Sequence, residues 1–170
     1  MPREIIHWRV VQGLLKTPTL ARTPILYTTL NREIMSAYIG SIAHDVPYYY
    51  RAGHAPFERV ADYIHGKDGE DSFEPIRRIA KQIMLSPRDQ HATLWPFLFG
   101  MLSHIAADSV FHPAIFYYTG NYHDPDEKER HAAQARHRLF EVYMDCHLRP
   151  QSRFEWGYSL RQLLISNRDY

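Results

Sequence analysis

Residues 88–112 read RDQHATLWPFLFGMLSHIAADSVFH, and this stretch decides the fold class. Apolar residues fall on most sides of a helix drawn through it, which predicts a central, buried helix. Pro96 is compatible with the start of that helix or with a kink, and Pro113 is expected to end it. The most apolar run, Leu94 to Leu102, is shorter than the roughly 20 residues that cross a bilayer. We therefore expect no transmembrane segment.

Helical periodicity recurs on both sides of this stretch. It predicts helices over residues 4–16, 31–40, 55–65, 73–84, 128–148 and 157–165. Asn31 is a suitable N-cap and Gly40 a suitable stop for the second of these, and residues 66–71 and 120–127 have the composition of loops. No alternating stretch of useful length predicts a strand. The 170 residues are therefore expected to form one all-α domain over residues 1–170.

The composition disfavours several classes of protein. The net charge is +1 without a concentrated basic block, which disfavours nucleic-acid binding. The single cysteine, Cys146, excludes an intrachain disulfide and is predicted to be a small core residue. The N-terminus lacks the long apolar stretch of a signal peptide, so we expect a cytoplasmic location. No feature of the sequence indicates an oligomeric state.

Side chains that ligate metals lie along one face of the central helix. His104, Asp108 and His112 follow one another at intervals of four residues, over about two turns. This polar line is costly to bury on an apolar helix unless it has partners, and zinc binds both imidazole nitrogen and carboxylate oxygen. His137 and Glu141 repeat the same spacing on the predicted helix over residues 128–148.

Further candidate ligands lie in the first half of the chain. His7 falls on the first predicted helix, and Asp45 and His65 fall at the ends of predicted helices. Together with the candidate ligands on the two later helices, they predict a multinuclear zinc site whose ligands come from several helices. The alternative without metal is a buried, hydrogen-bonded pair on the central helix and a surface pair of little energetic value on the later one.

Four segments, taken in order, resemble the zinc-dependent phospholipase C family. They are residues 40–45 (GSIAHD), residues 64–66 (IHG), His104-x3-Asp108-x3-His112-Pro113 and His137-x3-Glu141. The similarity spans roughly residues 5–145, and the ordered set is more specific than any single motif. That family shares its all-helical, trinuclear-zinc fold with the S1/P1-type nucleases.

The resemblance implies roles for the candidate residues. Asp45, His65 and His104 would ligate one zinc, and Asp108 would bridge it to a second zinc that His7 shares. Asp45 would also orient or deprotonate the attacking water. The implied activity is hydrolysis of a phospholipid headgroup phosphodiester by a zinc-activated water, with two or three Zn²⁺ ions.

The resemblance also implies a third zinc, ligated by His112, His137 and Glu141. Secreted members of the family place five residues between the bridging aspartate and the next histidine. Here three residues separate Asp108 from His112.

Two alternatives belong to other functional classes. The dipeptide His44-Asp45 is the signature of HD-type phosphohydrolases, which are helical and use two metals on nucleotides or nucleic acids, with His7 and Asp108 as additional ligands. That alternative leaves His112, His137 and Glu141 without a role. The other alternative is a non-catalytic helical protein with a structural metal, but a degenerate site is expected to lose some ligand residues, and nearly all are present.

Several other residues are expected to have no part in the chemistry. Tyr48, Tyr49 and Tyr50 could line a pocket, but packing is the expected role of such a cluster. Asp145, one turn beyond Glu141, is expected to be solvated. Five histidines are expected on the surface: His54, His91, His123, His131 and His147.

Overall fold

The fold is given by a computed structural model that describes residues 4–50, 55–67, 69–151 and 159–166. These residues form ten α-helices and no strand, which confirms the all-α prediction. The helices are α1 (Glu4–Leu14), α2 (Pro18–Ala21), α3 (Pro24–Arg32), α4 (Ile34–Gly40), α5 (Val46–Tyr49), α6 (Ala55–Ile64), α7 (Glu74–Leu85), α8 (His91–Thr119), α9 (Glu127–Leu148) and α10 (Leu160–Ser166). A 3₁₀ turn, Arg88–Gln90, leads into α8.

Helix α8 is the centre of the fold, because α1, α3, α4, α7 and α9 all pack against it. Ile76 and Ile83 of α7 meet Leu98 and Met101 of α8 in a small apolar cluster. A larger cluster joins α1, α4 and α10 on another side. Its buried members are Ile5, Trp8, Val11, Leu20, Leu30, Ala37, Tyr38, Ile42 and Leu163. Burial of apolar side chains is the dominant favourable contribution to folding.

Two glycines allow α4 and α8 to approach each other backbone to backbone. A Cβ atom on Gly100 would overlap the carbonyl oxygen of Ala37, and one on Gly40 would overlap the carbonyl oxygen of Phe97. Glycine is the residue that permits such close approach. The contact brings the turn after α4, which begins at Ser41, directly onto the middle of α8.

The prediction that Pro113 ends the central helix is wrong. Helix α8 continues through Pro113 to Thr119. Proline removes one backbone hydrogen bond, but Pro113 lies on the exposed side of the helix. Ile115 and Thr119 beyond it are buried, so tertiary packing outweighs the local cost. The helix is also less enclosed than predicted, because Val110 and Tyr117 are largely exposed.

The segment Arg88–Thr119 is long and apolar enough to span a membrane by length and composition. The core helix of a globular domain passes the same test, and α8 occupies that position here. The expectation that this chain has no transmembrane segment stays a prediction.

Three short helices were not predicted, and each begins at or next to a proline. In α2 the side chain of Thr17 accepts the Leu20 N–H, with proline at the first helical position. The prediction that Asn31 is the N-cap of the next helix is wrong, because Asn31 lies inside α3 and Glu33 precedes α4. The predicted start of the last helix, residues 157–158, lies outside the described residues.

Asp145 is buried and joins α9 to the start of α1, contrary to the prediction that it is solvated. Its Oδ2 accepts the N–H of Ile5 (3.3 Å) and its Oδ1 accepts the N–H of Ile6 (3.2 Å). N–H groups of a first helical turn have no acceptor inside their own helix, and a carboxylate there also opposes the positive end of the helix dipole. The neighbouring Cys146 is exposed, so its predicted core role is wrong.

Candidate metal centre

The structure brings all eight predicted ligands into one region. Helix α1 supplies His7, the turns after α4 and α6 supply Asp45 and His65, and α8 and α9 supply the others. Within the described residues they form three groups whose ligand atoms lie within 4.8 Å of one another. The groups are His7 with His104 and Asp108, Asp45 with His65 and His104, and His112 with His137 and Glu141.

The group of Asp45, His65 and His104 converges on a small volume. Asp45 Oδ1 lies 3.3 Å from His65 Nε2 and 3.8 Å from His104 Nε2. The two Nε2 atoms are 3.2 Å apart. Three ligand atoms from three separate segments therefore point at the same place.

The hydrogen bonds of the two imidazoles assign their tautomers. Nδ1 of His104 lies 2.7 Å from the carbonyl oxygen of Ser41, and Nδ1 of His65 lies 2.7 Å from that of Ala61. A carbonyl oxygen only accepts, so each Nδ1 carries a proton, and in the neutral form of the ring each Nε2 has a lone pair. Two lone pairs facing each other at 3.2 Å repel unless a cation lies between them. Histidine ligands of metals commonly donate their other N–H to a carbonyl in this way.

Asp108 reaches all three groups. Its Oδ2 lies 3.3 Å from His104 Nε2, and its Oδ1 lies 3.8 Å from His7 Nε2 and 3.9 Å from His112 Nε2. Within the described residues, no hydrogen bond is made by either ring nitrogen of His7 or by Oδ1 of Asp108. Buried polar atoms are normally partnered, so these atoms fit a metal that they would ligate.

The third group lies between α8 and α9. His137 Nε2 is 2.7 Å from Glu141 Oε1, and both side chains are buried, so the alternative of a surface pair is wrong. His112 belongs to this group although only three residues separate it from Asp108.

His104 lies in a stack of three imidazoles. The ring of His7 stacks on the ring of His104 with a centroid distance of 4.1 Å, and the ring of His44 stacks on it with a centroid distance of 4.7 Å. His44 is fully buried, but it belongs to none of the three groups formed by the described residues. This arrangement disfavours the HD-type alternative, in which His44 would be a ligand.

The protonation equilibria suit metal binding. Burial lowers the pKa of His7, His44 and His137 to about 3, so these imidazoles are neutral at neutral pH. Burial alone would raise the pKa of Asp45 and Asp108, but the neighbouring histidines, chiefly His65 and His104, outweigh burial and bring both below the ordinary value.

The same carboxylates favour positive charge at His104. Burial lowers its pKa, but the adjacent carboxylates of Asp108 and Asp45 outweigh burial and raise it. A metal ion at Nε2 supplies that positive charge.

Comparison with protein families decides between the alternatives. The family model described as zinc dependent phospholipase C matches residues 6–167. The chain belongs to the zinc-dependent phospholipase C family. No curated protein and no solved structure matches it.

Membership in the zinc-dependent phospholipase C family makes the chain a zinc-dependent hydrolase of phosphodiesters. The histidine and carboxylate groups are the residues that could hold the zinc ions. The assignment of each residue to a particular ion stays a prediction.

A cavity of about 410 Å³ opens onto the ligands of this phospholipase C family member. Five predicted ligands line it: His65, His104, Asp108, His112 and His137. Its walls include Tyr48, Phe116 and Tyr122. Its volume is in the range of small-molecule sites, and a substrate in it would reach the candidate metal ligands in its lining directly.

Tyr48 lines the cavity, so its expected role in packing alone is wrong. Its hydroxyl donates to Asp62 Oδ1 at 2.7 Å, and Lys67 Nζ donates to Asp62 Oδ2 at 2.8 Å. Tyr50 is exposed and packs edge-on against Phe57, and the side chain of Tyr49 lies outside the described part of the chain.

The loop between α8 and α9 provides two further cavity residues, Tyr122 and His123. His123 is exposed, as predicted, but it faces the cavity. The loop joins the helices that carry His112 and His137, so its position in the sequence indicates that its residues lie near the candidate metal site. The exposed His131 and His147 and the partly buried His91 do not line this cavity, and His54 lies outside the described residues.

Metal-free protein is expected to lose stability as the pH falls from about 7.5 to about 5. The pKa of His7 and His137 is about 3 in the fold and about 6.5 in the unfolded chain, so the unfolded state binds more protons in this range. One such histidine costs up to about 2 kcal/mol at pH 5, while the raised pKa of His104 acts in the opposite direction. The measurement is urea denaturation in EDTA at several pH values.

The control for this experiment is His131→Gln, which changes an exposed imidazole on α9. This variant is expected to show the same pH dependence as the unchanged protein. A free energy of unfolding that stays constant or rises toward pH 5 contradicts the prediction.

Proposed function

We propose that the protein hydrolyses the headgroup phosphodiester of a phospholipid, with two or three zinc ions held by the eight ligand residues. The observation that carries this proposal is the pair of facing Nε2 atoms of His65 and His104. They lie 3.2 Å apart beside the carboxylates of Asp45 and Asp108, in the lining of a cavity.

Zinc, when bound, supplies positive charge for the phosphate oxygens and lowers the pKa of a coordinated water from about 15.7 toward about 7. The protein holds the ligands in place beforehand. The carbonyl groups of Ser41 and Ala61 fix the rings of His104 and His65, and the stacked rings of His7 and His44 restrain His104 further. Preorganised charge of this kind contributes strongly to catalysis.

Asp45 is the proposed residue for orienting the attacking water. It is almost fully buried, its pKa is lowered, and its Oδ1 makes no hydrogen bond within the described residues. An anionic carboxylate at this point is able to accept a hydrogen bond from the water and to ligate the metal at the same time. Asp108 spans the three groups and is proposed to bridge two ions.

The cavity walls fit a phosphodiester that carries an organic group. Phe116 packs against His112 and His137 with centroid distances of 5.4 Å, and Tyr122 lies 5.0 Å from His137. These rings enclose the third ligand group and provide apolar contact beside the phosphate position. Asp62 and Lys67 neutralise each other at the wall, so the cavity offers substrate polar contacts with little net charge.

Protein purified without a metal-affinity tag is expected to contain two to three equivalents of zinc and to hydrolyse phosphatidylcholine to diacylglycerol and phosphocholine. Removal of zinc with a chelator is expected to abolish hydrolysis, because the metal supplies both the charge and the nucleophile. The measurements are elemental mass spectrometry and quantification of released phosphocholine.

Re-addition of zinc is the control, and it should restore the rate. Protein that contains no zinc and takes none up from micromolar zinc would refute the proposal. Zinc-loaded protein that cleaves a dinucleotide but no phospholipid would favour the nuclease-like activity instead.

A further inference from the structure

An apolar stripe runs along the outer face of α8. Its residues are Trp95, Leu102, Ala106, Val110, Pro113 and Tyr117. Their spacing of seven, four, four, three and four residues places them on one side of the helix. All are exposed, and the exposed fractions of Val110 and Tyr117 are 72% and 83%. The stripe covers 22 residue steps, or about 33 Å along the helix axis.

The stripe carries no charged residue. Asp108 is the single Asp, Glu, Lys or Arg within α8, and it points to the ligand groups. In the most apolar stretch of 18 residues in this helix, 39% of the residues are buried, so most of the stretch is not enclosed by the fold. Monomeric proteins rarely expose a long, uncharged apolar surface unless it binds something.

A cavity adjoins the stripe near each of its ends. Pro113 belongs to the stripe and also lines the cavity above the metal ligands. At the other end, Trp95 lines a second cavity of about 500 Å³ between α3 and α8, with Ile25 and Leu26 on its walls. Ile25 is 85% exposed. The apolar surface is therefore continuous with the wall of the site that receives the substrate.

We propose that this face docks the protein on the surface of aggregated phospholipid, which presents the substrate to the cavity. The inference rests on the proposed function, since it takes the substrate to be a phospholipid. Tyrosine and tryptophan at the ends of the stripe suit the boundary between headgroups and acyl chains, where one end of the ring is wet and the other apolar. Because the stripe is uncharged, binding depends on apolar area and not on anionic lipid.

Docking on the surface fits the structure better than a helix that crosses the bilayer. Five helices pack around α8, and faces of this helix outside the stripe carry the ligand residues. Helices α7 and α9 expose charged residues such as Arg77, Lys81 and Arg138, which are costly to place in hydrocarbon. The outer face of α8 and the neighbouring end of α3 are therefore the surfaces proposed to contact lipid.

The test compares one phospholipid in two physical states. Val110→Lys combined with Tyr117→Lys adds two charges to the stripe and touches none of the ligand residues. On phosphatidylcholine vesicles this variant is expected to lose at least about tenfold in rate, and a similar factor in binding measured by flotation. On a short-chain phosphatidylcholine below its micellar concentration, its rate should equal that of the unchanged protein. Wild-type flotation should persist at high salt.

The control is Val60→Lys, which repeats the valine-to-lysine change on an exposed valine of α6 that lines neither cavity. It should leave both rates unchanged. If wild type hydrolyses both substrates and the stripe variant matches it on vesicles, the docking proposal is wrong while the proposed function stands. If wild type hydrolyses neither, the proposed function fails. A wild-type dimer that the stripe variant dissociates would assign the face to a second copy and overturn the lipid proposal.

Discussion

Asp108→Ala is expected to lose more than one equivalent of zinc and more than about a hundredfold in the rate of phosphodiester hydrolysis. The reason is geometric. Within the described residues, Asp108 lies within 3.9 Å of histidine nitrogens from all three ligand groups, namely those of His7, His104 and His112. A carboxylate that bridges two ions contributes to the affinity of both, so its removal weakens two sites together. Elemental mass spectrometry and an activity assay on the same preparation measure the two effects.

Two further variants make this result specific. Asp108→Asn keeps the shape but removes the charge, and it should retain one weakly bound ion at most at the shared position. Asp89→Ala removes an exposed carboxylate just before α8 and should change neither zinc content nor rate. Loss of one ion or none from Asp108→Ala contradicts the bridging role.

Asp145→Ala is expected to lower the free energy of unfolding by about 2–4 kcal/mol, a large change for a domain of this size. The carboxylate accepts two backbone N–H groups of α1, and its removal leaves them buried near α9 without that acceptor. Because α1 carries His7, the variant should also hold zinc more weakly in the group that contains His7. Urea denaturation in EDTA measures the first effect, and zinc titration measures the second.

The comparison for Asp145 is Asp126→Ala at the start of α9. Asp126 also accepts two backbone N–H groups, those of Lys128 and Glu129, but it is exposed to water. Its loss should cost about 1 kcal/mol and leave zinc binding unchanged. Equal costs for the two variants would show that burial of the Asp145 cap adds nothing.

Most residues of the candidate site could be predicted from the sequence, because few residue types are able to ligate zinc. His104, Asp108 and His112 are polar residues in fixed helical register on an apolar helix, and local periodicity is sufficient to reveal that pattern. Asp45 and His65, in the turns after α4 and α6, were predicted from the ordered set of motifs. His7 was predicted from its place on the first helix and from the family resemblance. No local signal shows which groups they join, because that depends on how α1, α4 and α6 pack.

The predictions that failed depend on contacts between residues distant in sequence. Asp145 resembles a solvated helical residue until α1, about 140 residues away, places its N–H groups against it. Pro113 resembles a stop because its local effect on the helix is unfavourable, but packing of Ile115 and Thr119 overcomes it. The short helices α2 and α3 had a readable signal in Thr-Pro pairs at their starts, whereas nothing near His44 indicates that it stacks on His104.

The glycine contact between α4 and α8 has a consequence for how substitutions far from the ligands affect zinc affinity. Ser41, whose carbonyl sets the orientation of His104, follows Gly40 directly, and Asp45 lies four residues further on. A side chain at Gly100 would separate the two backbones and move both groups away from α8 together. The position of His104 relative to Ser41 and Asp45 therefore depends on an interhelical spacing that only glycine permits, so a larger residue at Gly40 or Gly100 is expected to weaken zinc binding although neither glycine has a ligand atom.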